Sequence, residues 1–239
     1  KYLVDKKFVK ADYVFGEASS DPDYLCIGTK GVIHAKITCT GKSCHGAYQY
    51  KGVNSFENIL KISNELLNLK KKVESRKTKY KTIEKKGKFA SFMIGGLVEG
   101  GDKVNIVPDK TVFSIDRRAI PEEGAAKARK EIVDLVKRWK KKGLKLKLDM
   151  EWGSEPWIMG VKDNYYKIAS SAFKDIYKKK AKFGLLSGGV DLRFFAAKGV
   201  KCLGYDPVGY GAHADDEFNY VTRLVKFSSF VEKLILELK

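Results

Sequence analysis

The chain has 239 residues, 44% of them hydrophobic and 32% charged, which excludes a disordered chain and leaves room for one large domain or two modest ones. No apolar run reaches membrane-spanning length, and the four cysteines stand at neither disulfide-framework nor metal-site spacing, so a reducing, cytoplasmic setting without a membrane partner is expected. The 47 Lys and Arg against 29 Asp and Glu give a net charge of +18; with no arginine cluster or regular aromatic interleaving, the scattered lysines read as solvated surface rather than a nucleic-acid face.

Residues 11–15 read as a short strand closed by Gly16, which places Glu17 at a strand end. A second strand, 24–28, leads through Thr29, Lys30 and Gly31 into the alternating segment 32–40. Asn54 caps the following helix, with Glu57 at its third position, and Phe56, Ile59, Leu60, Ile62, Leu66 and Leu67 give it a broad apolar face. Strands at 89–98 and 111–116 surround a loop at 99–102. The next helix is expected to hold Pro121 in its first turn, Glu122 and Glu123 at its positive end and Lys140 to Lys142 at the other. From 32 to 142 the order is strand, helix, two strands, helix, which fits a small sheet with both helices on one face.

Beyond it, 144–148 alternates strictly and reads as a strand with one wet face. A helix through Tyr165 to Ile176, strands at 183–186 and 200–205, and a last helix over 219–238 complete an α/β pattern. The expected architecture is a compact domain inserted between two pieces of another, with boundaries giving 1–31, 32–142 and 143–239. Between the 200–205 strand and the last helix, a glycine-rich turn sets His213 four residues before Glu217. Loops at strand ends are where α/β proteins place their chemistry, and His213 is one of only three histidines.

Four segments agree in order: the Glu17 strand end; Gly41-Lys42-Ser43-Cys44-His45 with Gly52 and Asn54; Gly101, Asn105 to Asp109 and Asp116-Arg117-Arg118; and Ser187 to Asp191 before His213 to Glu217. Together they resemble the M20 metallopeptidase family, amidohydrolases with a two-metal catalytic domain and an inserted lid. The resemblance implies an incomplete zinc-peptidase-like α/β domain carrying an α+β, ferredoxin-like lid and dimerisation domain. It implies metal-dependent hydrolysis of an amide in an N-acyl amino acid or small peptide, of deacylase, desuccinylase or carboxypeptidase type, by a homodimer holding two zinc or cobalt ions per full-length subunit.

By the same resemblance Glu17 and His213 are metal ligands, and Glu217 stands behind them as a supporting carboxylate. His45 is the lid histidine that stabilises the oxyanion in a neighbour's active site. Asn105 and Arg118 hold the substrate carboxylate, Asp116 orients Arg118, and Gly188 with Gly189 lets backbone approach the substrate. Dimerisation is expected through the 32–40 strand and the helix from Asn54. Gln49, Val190 and Asp215 depart from the common family residues, and His34 matches no family role and reads as structural or surface.

A complete member also carries an upstream block with a histidine ligand, a bridging aspartate and a Glu-Glu pair, and none of it is present. The chain is therefore expected to be an inactive piece that stably holds no metal, with its activity belonging to a longer parent. Two other readings stay open: a binding or scaffold protein that keeps the fold without catalysis, and a hydrolase that releases an amino acid from an acidic carrier protein, drawn to it by the +18 charge.

Overall fold

The computed structural model describes residues 1–18, 21–211 and 214–238. The elements begin with α1 (Tyr2–Asp5), β1 (Tyr13–Gly16), β2 (Tyr24–Thr29), β3 (Gly31–Thr40) and α2 (Ser55–Glu74), followed by β4 (Ser91–Gly100), β5 (Lys110–Ala119) and α3 (Gly124–Lys141). The chain continues through β6 (Leu146–Ser154), β7 (Trp157–Ile158), α4 (Asn164–Tyr177), β8 (Lys182–Leu186), α5 (Leu192–Ala196), β9 (Lys201–Gly204) and α6 (Val221–Glu237). Among the described residues no helix is long and apolar enough to cross a membrane.

Two compact units divide these elements. One comprises Gly31–Thr78 and Phe89–Glu155, the other Lys1–Lys30, Lys79–Lys88 and Pro156–Lys239.

The first of these is an antiparallel sheet in the order β4-β5-β3-β6. With α2 after its first strand and α3 after its third, the order is that of a ferredoxin-like fold. Alternation along β3 sends Ile33, Ala35, Ile37 and Cys39 to a single core, where they meet Ile59, Ile62 and Leu66 of α2 and Ile132, Leu135 and Val136 of α3. Both helices therefore cover one face, and the other face carries His34, Lys36, Ser114, Asp116 and Arg118. Asn54 caps the start of α2: its side chain accepts the amides of Phe56 and Glu57 at 3.0 and 3.2 Å and donates from Nδ2 to the Glu57 carboxylate at 3.0 Å.

Arg117 points into the core, fully buried. Its Nη2 donates to Glu123 at 3.0 Å and Glu131 at 2.9 Å, and Arg76 grips the same two carboxylates from the far end of α2. Glu123 also accepts the Ile120 amide at 3.2 Å. That bond closes a turn at 120–123, so α3 starts at Gly124 and Pro121 precedes the helix instead of sitting in its first turn.

In the other unit β1 runs parallel to β9, and β2 pairs with β8, β7 and β9. Helices α4 and α6 pack through Phe173 and Phe230, whose rings meet each other and Tyr205 edge-on at 5.4 to 5.8 Å. Tyr165 and Tyr166 of α4 donate to Val14 O and Cys202 O, and burial pushes both phenols above their ordinary range.

The division differs from the expected 32–142 insert at two places. Strand β6 runs on to Ser154 and pairs along β3 from Val32 to Cys39, so residues 143–155 group with the ferredoxin-like unit. Residues 79–88, inside the insert by sequence, instead pair with β8: Leu185 N–H donates to Lys81 O at 2.9 Å and Ile83 N–H to Leu185 O at 3.0 Å.

All four cysteines are free. Burial pushes the Cys26 and Cys202 thiols up to about 12 and raises Cys39 as well, whereas Cys44 is half-buried on a loop. A thiolate-selective reagent at pH 8 is therefore expected to label Cys44 alone in the folded protein, with the other three reacting after denaturation. Rapid labelling of two or more thiols under native conditions would contradict this core.

Candidate functional site

Past the ends of β3 and β5 the antiparallel pairing continues into loops. Gly41 N–H donates to Asp109 O at 2.6 Å, Val107 N–H to Cys44 O at 2.9 Å and Gly46 N–H to Asn105 O at 2.7 Å. The 41–53 loop closes on itself through reciprocal Lys42 and Val53 bonds of 2.9 Å, so tightly that a Cβ on Gly41 would stand 2.0 Å from Val53 O. This brings His45 and Asn105 together at one exposed end of the sheet. His45 Nδ1 accepts the Ala47 amide at 3.2 Å. The neutral ring must then carry its hydrogen on Nε2, which makes that atom the donor available to a ligand.

Arg118 lies elsewhere. Strand neighbours two apart share a face, and Arg118 Nε and Nη2 donate to the two Asp116 oxygens at 2.7 and 2.8 Å. Asp116 thus occupies the side fork of the guanidinium and leaves the end fork, Nη1 with the second Nη2 hydrogen, for another planar acceptor. His34 is part of this group: its Nε2 stands 3.4 Å from Asp116 Oδ2 and its ring lies 5.3 Å from that of Trp152. Cross-strand register, His34 opposite both Asp116 and Trp152, is the signal that could have placed it.

The two groups occupy opposite ends of the sheet. Arg118 pairs with Val32, whereas Lys110 pairs with Thr40, next to the His45 and Asn105 loops. The eight steps from 110 to 118 span about 26 Å. Asn105 and Arg118 of a single chain are therefore too far apart to hold one carboxylate between them.

In the other unit Glu17 follows β1 at the rim of a cleft of about 370 Å³ that Gly189, Val190 and Asp191 line from the opposite side. Glu17 is exposed. Tyr205 N–H donates to Gly16 O at 3.0 Å, so Glu17 and the loop after β9 leave neighbouring parallel strands at the same end. Ala18 presses on β9 so closely that a Cβ on Gly204 would lie 2.3 Å from its side chain. Gly188 is the reverse case: a Cβ there would meet nothing nearer than 3.8 Å, so the chain's own packing does not require glycine. Glu217 closes a turn by donating its amide to Ala214 O at 3.2 Å, beside the stacked rings of Tyr210 and Phe218. His213 lies outside the described residues. Among the described residues no group of three or more His, Cys, Asp or Glu side chains is placed to hold a metal ion.

Comparison with known proteins gives this geometry its family. Residues 27–143 match the M20-type peptidase dimerisation domain. The stretch is an M20 dimerisation domain. Over 231 residues the chain is 23% identical to the succinyl-diaminopimelate desuccinylase of Coxiella burnetii, covering 94% of this chain and 58% of that protein. The desuccinylase of Aliarcobacter butzleri is likewise 23% identical over 225 residues, 93% of this chain and 55% of its own length. The chain thus spans a little over half the length of the curated relatives it matches. Among solved structures, a Staphylococcus aureus tripeptidase aligns with TM-score 0.73 at 18% identity, over 97% of this chain and 58% of that one. An M20 family metallo-carboxypeptidase from Sulfolobus solfataricus gives TM-score 0.73 at 19% identity, over 98% and 65%. The fold is that of the M20 peptidases.

Proposed function

We propose that the protein hydrolyses an amide bond in an N-acyl amino acid or small peptide bearing a free carboxylate. The observation that carries the reading is Arg118: one guanidinium fork is fixed by Asp116 and the other is left for a planar anion. The names of similar proteins, a desuccinylase, a tripeptidase and an M20 family metallo-carboxypeptidase, support this reading.

The family implies a divalent metal. Glu17 is an oxygen donor of the right chemistry at a cleft rim, but one carboxylate is not a metal centre, and the described residues do not by themselves fit one. In the proposal His213 is a further ligand and Glu217 its support. Glu17 and His213 would be part of such a site, and an ion held there would supply an activated water and polarise the amide. Residues of the protein do the rest. Arg118 binds and orients the carboxylate, His45 of a second copy presents its Nε2 hydrogen to the oxygen that gains charge, and Gly188 and Gly189 leave room for substrate against backbone.

The longest natural form of the protein, loaded with zinc or cobalt, is expected to release free amine from a panel of N-acetyl and N-succinyl amino acids and dipeptides. Amidation of the substrate carboxylate should cost about ten- to a hundredfold in kcat/KM, because it removes charge-assisted hydrogen bonding worth about 1.5–3 kcal/mol. Hydrolysis that ignores that carboxylate would sink the role given to Arg118.

A homodimer belongs to the same proposal, with its strand contact at a free edge of the sheet. Strand β3 was the expected pairing strand, but β5 and β6 occupy both of its edges. The open edge beside α2 is β4, where Met93 and Val98 are exposed, and α2 shows a half-exposed apolar stripe of Phe56, Leu60 and Leu67. Phe56→Glu is expected to convert the dimer to a monomer in light scattering at moderate salt, with the unfolding midpoint of the monomer little changed. A dimer that survives both Phe56→Glu and Met93→Glu would place the interface elsewhere.

A further inference from the structure

We infer that Glu84 is a positioning residue for the loop at 187–191, which brings Gly189 to the Glu17 cleft. The inference rests on the assignment of that loop to the substrate under the proposed function.

Glu84 reaches the loop from residues 79–88, which separate α2 from β4 in sequence yet belong with β8. The bonds of Lys81 and Ile83 to Leu185 lay this stretch along β8, with Thr82 paired in parallel to Leu185. Glu84 therefore arrives one step past the strand end. Its carboxylate accepts the Ser187 amide at 3.3 and 3.2 Å and the Ser187 hydroxyl at 3.1 Å. Its backbone is held in turn, since Thr82 Oγ1 and the Gly87 amide both donate to Glu84 O, at 3.0 and 2.9 Å. The fit is close: a Cβ on Gly87 would come within 2.7 Å of Ser187 Oγ and 2.9 Å of Glu84 O. On the other edge of β8 the Lys30 amide donates to Leu186 O at 3.1 Å.

The strand thus enters the loop clamped on both sides, and the clamp ends at Ser187. A Cβ on Gly188 would meet only Leu186, at 3.8 Å or more, and Gly189 follows it, so two consecutive residues supply no side chain to fix the backbone. The far end of the loop is held at Val190, whose O accepts the Arg193 amide at 3.2 Å and Nη1 at 3.0 Å, so Ser187 fixes the near end of the glycine pair. Bonds to an ionised carboxylate are about twice as strong as neutral ones, which suits Glu84 to that task. A displacement of about 1 Å at a substrate-contacting group can cost about a hundredfold in rate.

Hydrogen exchange on the 239-residue chain tests the geometry directly. Glu84→Ala is expected to speed exchange of the 187–191 amides by about tenfold or more, with the β3–β5 amides unchanged. Glu84→Gln keeps a carbonyl acceptor and should give a smaller rise. In the longest natural form loaded with zinc, assayed on N-acetyl amino acids, Glu84→Ala should raise KM about tenfold with a smaller loss in kcat, and Glu84→Gln should recover part of it. Unchanged exchange in Glu84→Ala would overturn the inference whatever the assay showed. A loosened loop with KM unaltered in both Glu84→Ala and Gly188→Ala would remove the loop from substrate binding, and the positioning role would fall with that reading.

Discussion

Replacing Arg117 with alanine is expected to destabilise the ferredoxin-like unit by about 3–5 kcal/mol. The guanidinium is fully buried, its Nη2 bridges Glu123 and Glu131, and its face lies 5.7 Å from the Phe92 ring centroid. Burial pulls its pKa below the ordinary arginine value, and the two glutamates work against that pull. Removing it leaves two carboxylates, that of Glu123 almost wholly buried, facing one another with Arg76 alone between them. Among the described residues Nε and Nη1 of Arg117 find no hydrogen-bond partner, so the residue is costly to bury and costlier to lose. Arg118→Ala, one position along on the open face, should cost about 1 kcal/mol or less, because its pair with Asp116 is partly solvated. Urea denaturation of the two variants separates these outcomes. Equal losses for both would mean that the buried network does not carry the stability assigned to it.

That pair of neighbours also shows what sequence makes legible. Period-two alternation puts Asp116 and Arg118 on one face without any structure, and by the same rule puts Arg117 on the other. The buried side is not legible locally, because an arginine is rarely core and its partners, Glu123 just before α3 and Glu131 within it, are brought to it by tertiary packing. Strict alternation stops at 148, yet the β6 ladder runs on past an irregularity opposite His34 and Ala35, carrying Trp152 to His34. Residues 79–88 have neither helical nor strand periodicity, since their place is fixed by backbone bonds to β8 and by Glu84. Alternation within β5 accounts for Asp116 with Arg118, but not for what joins them from other strands. His45 with Asn105, and His34 with Asp116 and Arg118, are tertiary facts decided by sheet register.

Register also decides how a site could be assembled. One chain keeps His45 and Asn105 about 26 Å of strand away from Arg118, far more than a small acylated amino acid can bridge. If both groups act on one substrate, they come from two chains, and a dimerisation domain gives the means. His45→Ala and Arg118→Ala are then each expected to abolish most hydrolysis by the metal-loaded natural form, with His45→Ala falling mainly on kcat and Arg118→Ala mainly on KM. Mixed after reversible dissociation, the two inactive variants should regain activity. Random pairing makes about half of the dimers mixed, and each mixed dimer carries one site with both residues intact and one lacking both. Recovery should therefore approach about a quarter of wild type. The same mixing with Phe56→Glu in both chains should recover nothing, because that change removes the assembly and leaves both residues in place. No recovery from a mixture shown to contain mixed dimers would mean that His45 and Arg118 do not meet across an interface.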